Sequence, residues 1–122
     1  MNLAAIEIKA FVPARQLADS IAFYEAIGFE VPWQSHELAY IRYGGTAFLL
    51  QQFYVPEHAN NFMMHMLVEN ADDWYQHVKA SGVVTRFSAR LGAPEDRPWG
   101  IRDFTLTDPA GVLWRIGHNI RR

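Results

Sequence analysis

The sequence predicts an α+β fold made of two βαβββ modules, about residues 1–58 and 59–122, within a single domain. Three observations carry that expectation. The same order of elements occurs twice at a spacing of about sixty residues, the mark of a duplicated unit even though the halves share little sequence. Each half holds one stretch of helical spacing that ends in a glycine, Gly28 and Gly82. The chain then closes on Asp108-Pro109-Ala110-Gly111 between two mixed apolar runs. This is a hairpin signal in which Pro109 sets the turn and Gly111 is free to take positive φ.

In the first half, Ala5 to Val12 alternates as a strand that ends at Pro13. Leu17, Ile21, Tyr24 and Ile27 recur at helical spacing, with Gly28 as the stop. Phe29 to Trp33, Ala39 to Tyr43 and Ala47 to Phe53 read as three strands, the last two joined at Gly44-Gly45. Tyr54 to Asn61 is a polar loop. In the second half, Phe62 to Val68 is a strand of methionines and one histidine. Asn70 caps a helix with Asp72 and Asp73 in its first turn, where the helix dipole favours negative charge. That helix carries Ala71, Trp74 and Val78. Val83 to Phe87 reads as a strand, Ser88 to Pro98 as a loop, and Ile101–Thr107 with Val112–Gly117 as the closing hairpin. An unrelated α+β sandwich, such as a ferredoxin-like domain, fits the same pattern of elements.

Bulk properties exclude several classes of function. Half the residues are apolar, 14% are aromatic and 20% are charged, a globular composition with no disordered tract. A net charge of −2 argues against a nucleic-acid or anionic-membrane partner. With no cysteine, the chain has neither a thiol nucleophile nor thiolate ligands, and it needs no oxidising compartment. Met1 to Phe11 contains Glu7 and Lys9 and lacks the long apolar core of a signal peptide or membrane span. A soluble cytoplasmic protein is the expectation.

Two motifs carry a resemblance. Leu17-x-x-Ser20-x-x-Phe23-Tyr24-x-x-x-Gly28-Phe29, followed by the closing segment Pro98-Trp99-Gly100 and Asp108-Pro109-Ala110-Gly111, is similar to the vicinal-oxygen-chelate superfamily. That superfamily comprises glyoxalase I, bleomycin-resistance proteins and extradiol dioxygenases, and the closing segment is closest to the bleomycin-resistance branch. The resemblance covers nearly the whole chain. It implies a partly open cup of sheet from two βαβββ modules, and a homodimer that completes two sites. It also implies exchange of the N-terminal strand across the dimer, with Pro13 in the place of the proline that follows that strand; equally, Pro13 simply ends a strand.

Metal enzymes of that superfamily hold a divalent ion with side chains from the first and last strands of each module. The resemblance places Lys9, His65 and Arg115 at three such positions, and the fourth falls around Leu49 to Gln51. Lysine and arginine are cations, and arginine offers no lone pair, so only His65 keeps a ligand type there. One imidazole and the amide of Gln51 do not make a zinc, nickel or iron site. No metal and no cofactor are expected. The other histidines, His36, His58, His77 and His118, lack ligand spacing. No Gly-x-Ser-x-Gly is present, and the pairs Asp72-Asp73 and Glu95-Asp96 suit capping and solvation.

Binding has more to stand on. Trp99 matches the tryptophan that lines the antibiotic crevice of bleomycin-resistance proteins, and a flat indole stacks on planar heteroaromatics. Trp33, Phe48 and Phe62 are candidates for the same cup, with core packing as the alternative for each. Met63-Met64-His65-Met66 offers an adaptable wall with one polar group. Lys9 and Arg115 bring positive charge to the cup, with Glu7 and Asp103 as candidate partners; unpaired, they would favour an anionic ligand. The expectation is therefore a non-catalytic protein that captures a bleomycin-like or other planar small molecule through Trp99, Trp33, His65, Phe62, Phe48, Lys9 and Arg115. The rival is an isomerase, a lyase or a dioxygenase-like enzyme of the same superfamily, with His65 acting alongside Lys9 and Arg115; as isomerase or lyase, His65 would be the base and the two cations would hold an enolate or carboxylate.

Overall fold

The structure, a computed structural model, describes residues 1–120. The first half contains β1 (Phe11–Ala14), α1 (Leu17–Ala26), β2 (Glu30–Gln34), β3 (Leu38–Tyr43), β4 (Thr46–Gln52) and the short α2 (Pro56–Ala59). The second contains β5 (Met63–Leu67), α3 (Ala71–Ala80), the short α4 (Val83–Phe87), β6 (Leu91–Arg97), β7 (Ile101–Thr107) and β8 (Leu113–Asn119). The strands form two four-stranded sheets, ordered β1-β4-β3-β2 and β5-β8-β7-β6. In each, the first strand of the half lies parallel to the last and the remaining pairs are antiparallel. One topology thus occurs twice, and neither sheet closes into a barrel.

Three elements differ from the sequence expectation. Residues 83–87 form a helical turn rather than a strand, because Val83 and Phe87 are four apart and share one helical face. Val83 is fully buried, and Phe87 packs edge-on against Phe23 at 5.6 Å. The second strand of that half is instead β6, whose Gly-Ala-Pro-Glu-Asp content reads as a loop. It is tolerated because β6 is an edge strand with a register shift between Gly92 and Glu95 that takes in Pro94. The first strand begins at Phe11 and includes Pro13, again on a sheet edge. Residues 1–10 form no regular element and leave Leu3, Ile6 and Ile8 84%, 89% and 95% exposed.

The helical faces of both sheets meet in one core. Tyr24, on α1, is fully buried among Phe29, Phe48 and Trp114, with ring centroids 5.1–5.7 Å away. Its hydroxyl donates to Asp108 Oδ2 at 2.6 Å and accepts from Trp114 Nε1–H at 2.7 Å. The other carboxylate oxygen of Asp108 accepts the backbone N–H groups of Ala110 and Val112, and so shapes the β7–β8 turn that Gly111 completes at φ +92°. His77 on α3 adds a second link, a 2.8 Å bond from Nε2 to the carbonyl of Ile27. Since a carbonyl only accepts, that nitrogen carries the proton.

Burial pushes the Asp108 carboxyl up to about 6, against the pull of its hydrogen bonds from Tyr24 and the turn. Burial and the neighbouring carboxylate also raise the Tyr24 hydroxyl, which stays protonated. Between the unfolded value of 3.8 and about 6, the folded chain holds a proton that the unfolded chain has lost. Asp108 therefore favours folding most below that window, and the contribution falls as pH rises through it, by about 3 kcal/mol in all. Urea unfolding at a series of pH values checks this: the difference between the native chain and Asp108→Asn varies across that window and is flat above it. In the same assay Tyr24→Phe costs about 2–4 kcal/mol, because it leaves both the Asp108 oxygen and the Trp114 N–H without a partner.

Candidate functional site

Strand alternation divides each sheet into a face packed on the helices and an open face. Across the first sheet, Phe11, Leu49, Tyr40 and Trp33 pair in register and form one lateral row on the open face. Phe11 and Trp33 are each 53% exposed. Phe48, one residue from Leu49, points the other way and is buried against Tyr24 and Trp114. The expectation that Phe48 faces the open side is therefore corrected: its ring belongs to the core.

In the second sheet, His65 pairs with Arg115, and Arg115 with Thr105. His65 and Arg115 are thus neighbours on the open face, flanked by the exposed Met63 and Leu67. Phe62 lies half-buried just before β5, edge-on to His58 at 5.4 Å, so its ring serves a local aromatic contact. Trp99 stands at the tip of the β6–β7 hairpin, 64% exposed. There Gly100 takes φ +90° and closes the turn with an N–H bond to the Arg97 carbonyl. Neither Trp33 nor Trp99 packs against another aromatic ring among the described residues.

The cations of these faces are paired. Lys9 Nζ lies 2.9 Å from Glu7, whose second oxygen accepts a 2.7 Å bond from the Tyr40 hydroxyl. Lys9 and Tyr40 together hold the Glu7 carboxyl below its usual range. In the second sheet, Asp103 is almost wholly buried and takes a 2.8 Å bond from Arg97 Nε and a longer contact, 3.3 Å, from Arg115. Arg97 also approaches Glu95 at 3.7 Å. Gly117 makes the room for this cluster, since a Cβ there would fall 2.7 Å from the Cβ of Asp103. The two partners foreseen for Lys9 and Arg115 are the ones found, and the open faces carry little net charge.

No resident metal fits this arrangement. Lys9 and Arg115, which the sequence resemblance implies for two ligand positions, are cations each committed to a carboxylate. Among the described residues, no three His, Cys, Asp or Glu side chains converge on one point. A cavity of about 860 Å³ lies elsewhere, between the β3–β4 hairpin, β5 and the start of α3. Of the seven residues singled out from sequence, it is lined by His65 and Phe48 alone. Sequence reasoning missed Phe11, Tyr40, Leu67 and Arg97, which share the open faces with Met63 of the foreseen methionine wall. Their alternation was visible, but the face each one took depended on strand register.

Comparison with known proteins places this geometry among others. Residues 8–116 match the family described as the Glyoxalase/Bleomycin resistance protein/Dioxygenase superfamily. The chain is 27% identical over 113 residues to a bleomycin resistance protein of Klebsiella pneumoniae, covering 88% of each. It superposes on a bleomycin resistance determinant encoded on transposon Tn5 with a TM-score of 0.81 and 23% identity, covering 94% of this chain and 98% of that one. A bleomycin-binding protein from Streptomyces verticillus, solved with copper(II)-bleomycin, gives a TM-score of 0.76 at 17% identity, covering 98% and 100%. At these identities the two structures share the fold.

The paired cluster orders a set of variants. Asp103→Ala leaves two half-buried guanidiniums without their shared partner and costs on the order of 2 kcal/mol in urea unfolding. Arg115→Ala, which removes only the longer contact, costs less. An equal loss for the two would show that the Arg97 bond is not the stronger arm.

Proposed function

Because the chain belongs to the glyoxalase/bleomycin resistance protein/dioxygenase superfamily, we propose that it is a metal-independent binding protein that sequesters a bleomycin-like antibiotic or similar planar molecule. Capture is stoichiometric and non-catalytic. The observation that carries this reading is the pair of indoles, Trp99 and Trp33, left more than half exposed with no aromatic ring packed on them among the described residues. A large flat apolar surface held in water favours stacking on a planar partner. The relatives named for bleomycin resistance and bleomycin binding supply the chemical class. Stacking rather than charge selects the ligand, since Lys9 and Arg115 are already paired. For the same reason an enzyme using those cations to hold an enolate beside a His65 base has lost its anion clamp. A cysteine-free chain with no helix long and apolar enough to cross a membrane among the described residues fits action in the cytoplasm.

The site is completed by a second copy of the chain. Phe11, Trp33, Met63, Leu67 and Trp99 are all exposed, and so is the apolar side of the N-terminal arm, with Ile6 and Ile8 almost bare. A homodimer that joins the open faces and exchanges the arms covers this surface and turns two open faces into a cup. Neither a nucleic acid nor a membrane surface is a partner in this reading.

Calorimetric and tryptophan-fluorescence titrations with metal-free and Cu²⁺-loaded bleomycin test the capture. The expected result is saturation near one drug per subunit, unaffected by chelator, with binding about tenfold weaker in Trp99→Ala. Absence of heat, or turnover of the drug, would overturn the reading. Sedimentation tests the partner: removing residues 1–8 should shift the dimer toward monomer, whereas an unchanged dimer would remove arm exchange.

A further inference from the structure

The charges around the 860 Å³ cavity contrast with those of the open faces. Its walls are aromatic: Phe29 and Tyr43 stand 5.3 Å apart and Tyr43 and Trp74 5.0 Å apart, each pair in an edge-on or tilted contact. Met64 and Met66 from β5 close the opposite side. At the rim are Glu69 and Asp73, and no lysine or arginine among the described residues lines the cavity. On the open faces, Lys9 and Arg115 each face a carboxylate within 3.3 Å. Glu69 and Asp73 have no such cation among the described residues; Asp73 is engaged only through its backbone N–H, which Asn70 caps.

We propose that this cavity is a second binding site, separate from Trp33 and Trp99, and that it takes a planar aromatic cation. Its volume lies within the range of small-molecule sites, which are mostly apolar with a few convergent polar groups. The Trp74 and Tyr43 rings attract a cation by their negative faces, and the two rim carboxylates supply the charge that an aromatic cage alone lacks. Methionines on the facing wall adapt to the thickness of an inserted ring. The cavity opens between the halves of one chain, so its occupancy does not rest on bleomycin capture.

N-methylacridinium and its uncharged parent acridine, compared at about pH 8, test the proposal, because the two share one plane and differ in charge. Titration into the full-length protein, followed by ligand fluorescence and calorimetry, should show one N-methylacridinium per chain and acridine at least tenfold weaker. Glu69→Gln with Asp73→Asn should weaken the cation five- to tenfold and leave acridine unchanged. Both positions are exposed, so the fold is kept. Trp74→Leu, checked for folding by circular dichroism, should weaken both ligands. Equal binding of the two ligands, cation binding that survives the charge changes or Trp74→Leu, or no binding at all would overturn it. The last two outcomes place any acridinium stacking elsewhere or show the cavity covered, and neither bears on the bleomycin titration.

Discussion

A single buried hydroxyl holds the two halves of this chain in register. Tyr24 reaches from the first helix to the last hairpin, giving its proton to Asp108 and taking one from Trp114. Each partner would be costly alone: a carboxylate in an apolar surrounding, and an indole N–H cut off from water. Together they satisfy one another, and Asp108 spends its second oxygen on the turn that sets β7 against β8. The pairing on both open faces therefore hangs on a residue that touches neither face. Aromatic packing around Tyr24 supplies bulk, while the hydrogen bonds supply position.

That turn propagates directly. Four residues at 108–111 place Thr105 opposite Arg115 and Asp103 opposite Gly117. Gly117 leaves a gap where a side chain would stand, and Asp103 occupies it to meet Arg97 and Arg115. Arg97 ends β6, two residues before Trp99, so the same carboxylate that neutralises the sheet also anchors the base of the hairpin that presents the indole. Core geometry, sheet charge and ligand platform are linked through one short stretch of chain.

Much of this was legible from the residues. Period-two alternation, glycine stops and the Asp-Pro-Ala-Gly turn located the duplicated order, and the Pro-Trp-Gly motif put an indole just before a strand, without showing that it tops a hairpin. Glu7 and Asp103 were already candidate partners of Lys9 and Arg115, because cations brought to the cup need compensating charge. Where the reading failed, local pattern was outvoted. Val83-Val84-Thr85 has the composition of a strand, but the core needed Val83 and Phe87 on one face. Leu91–Arg97 has the composition of a loop, but an edge position tolerates its proline and charges. Phe48 was misassigned because Ala47-Phe48-Leu49-Leu50 is apolar throughout, so alternation cannot tell which residue faces out. The cavity beside Trp74 was invisible, since it joins residues from both halves that no linear spacing connects.

The division between the two faces of each sheet also bears on how such a chain changes over generations. Tyr24, Asp108, Trp114 and Phe48 lie behind the sheets, whereas Trp33, Tyr40, His65 and Trp99 lie in front of them or at a hairpin tip. Apart from the buried Asp103 and its two arginines, substitutions in front disturb little of what keeps the chain folded, so mutation can explore that surface at small thermodynamic risk. A scaffold arranged this way can be handed from one ligand to another while its interior stays as it is.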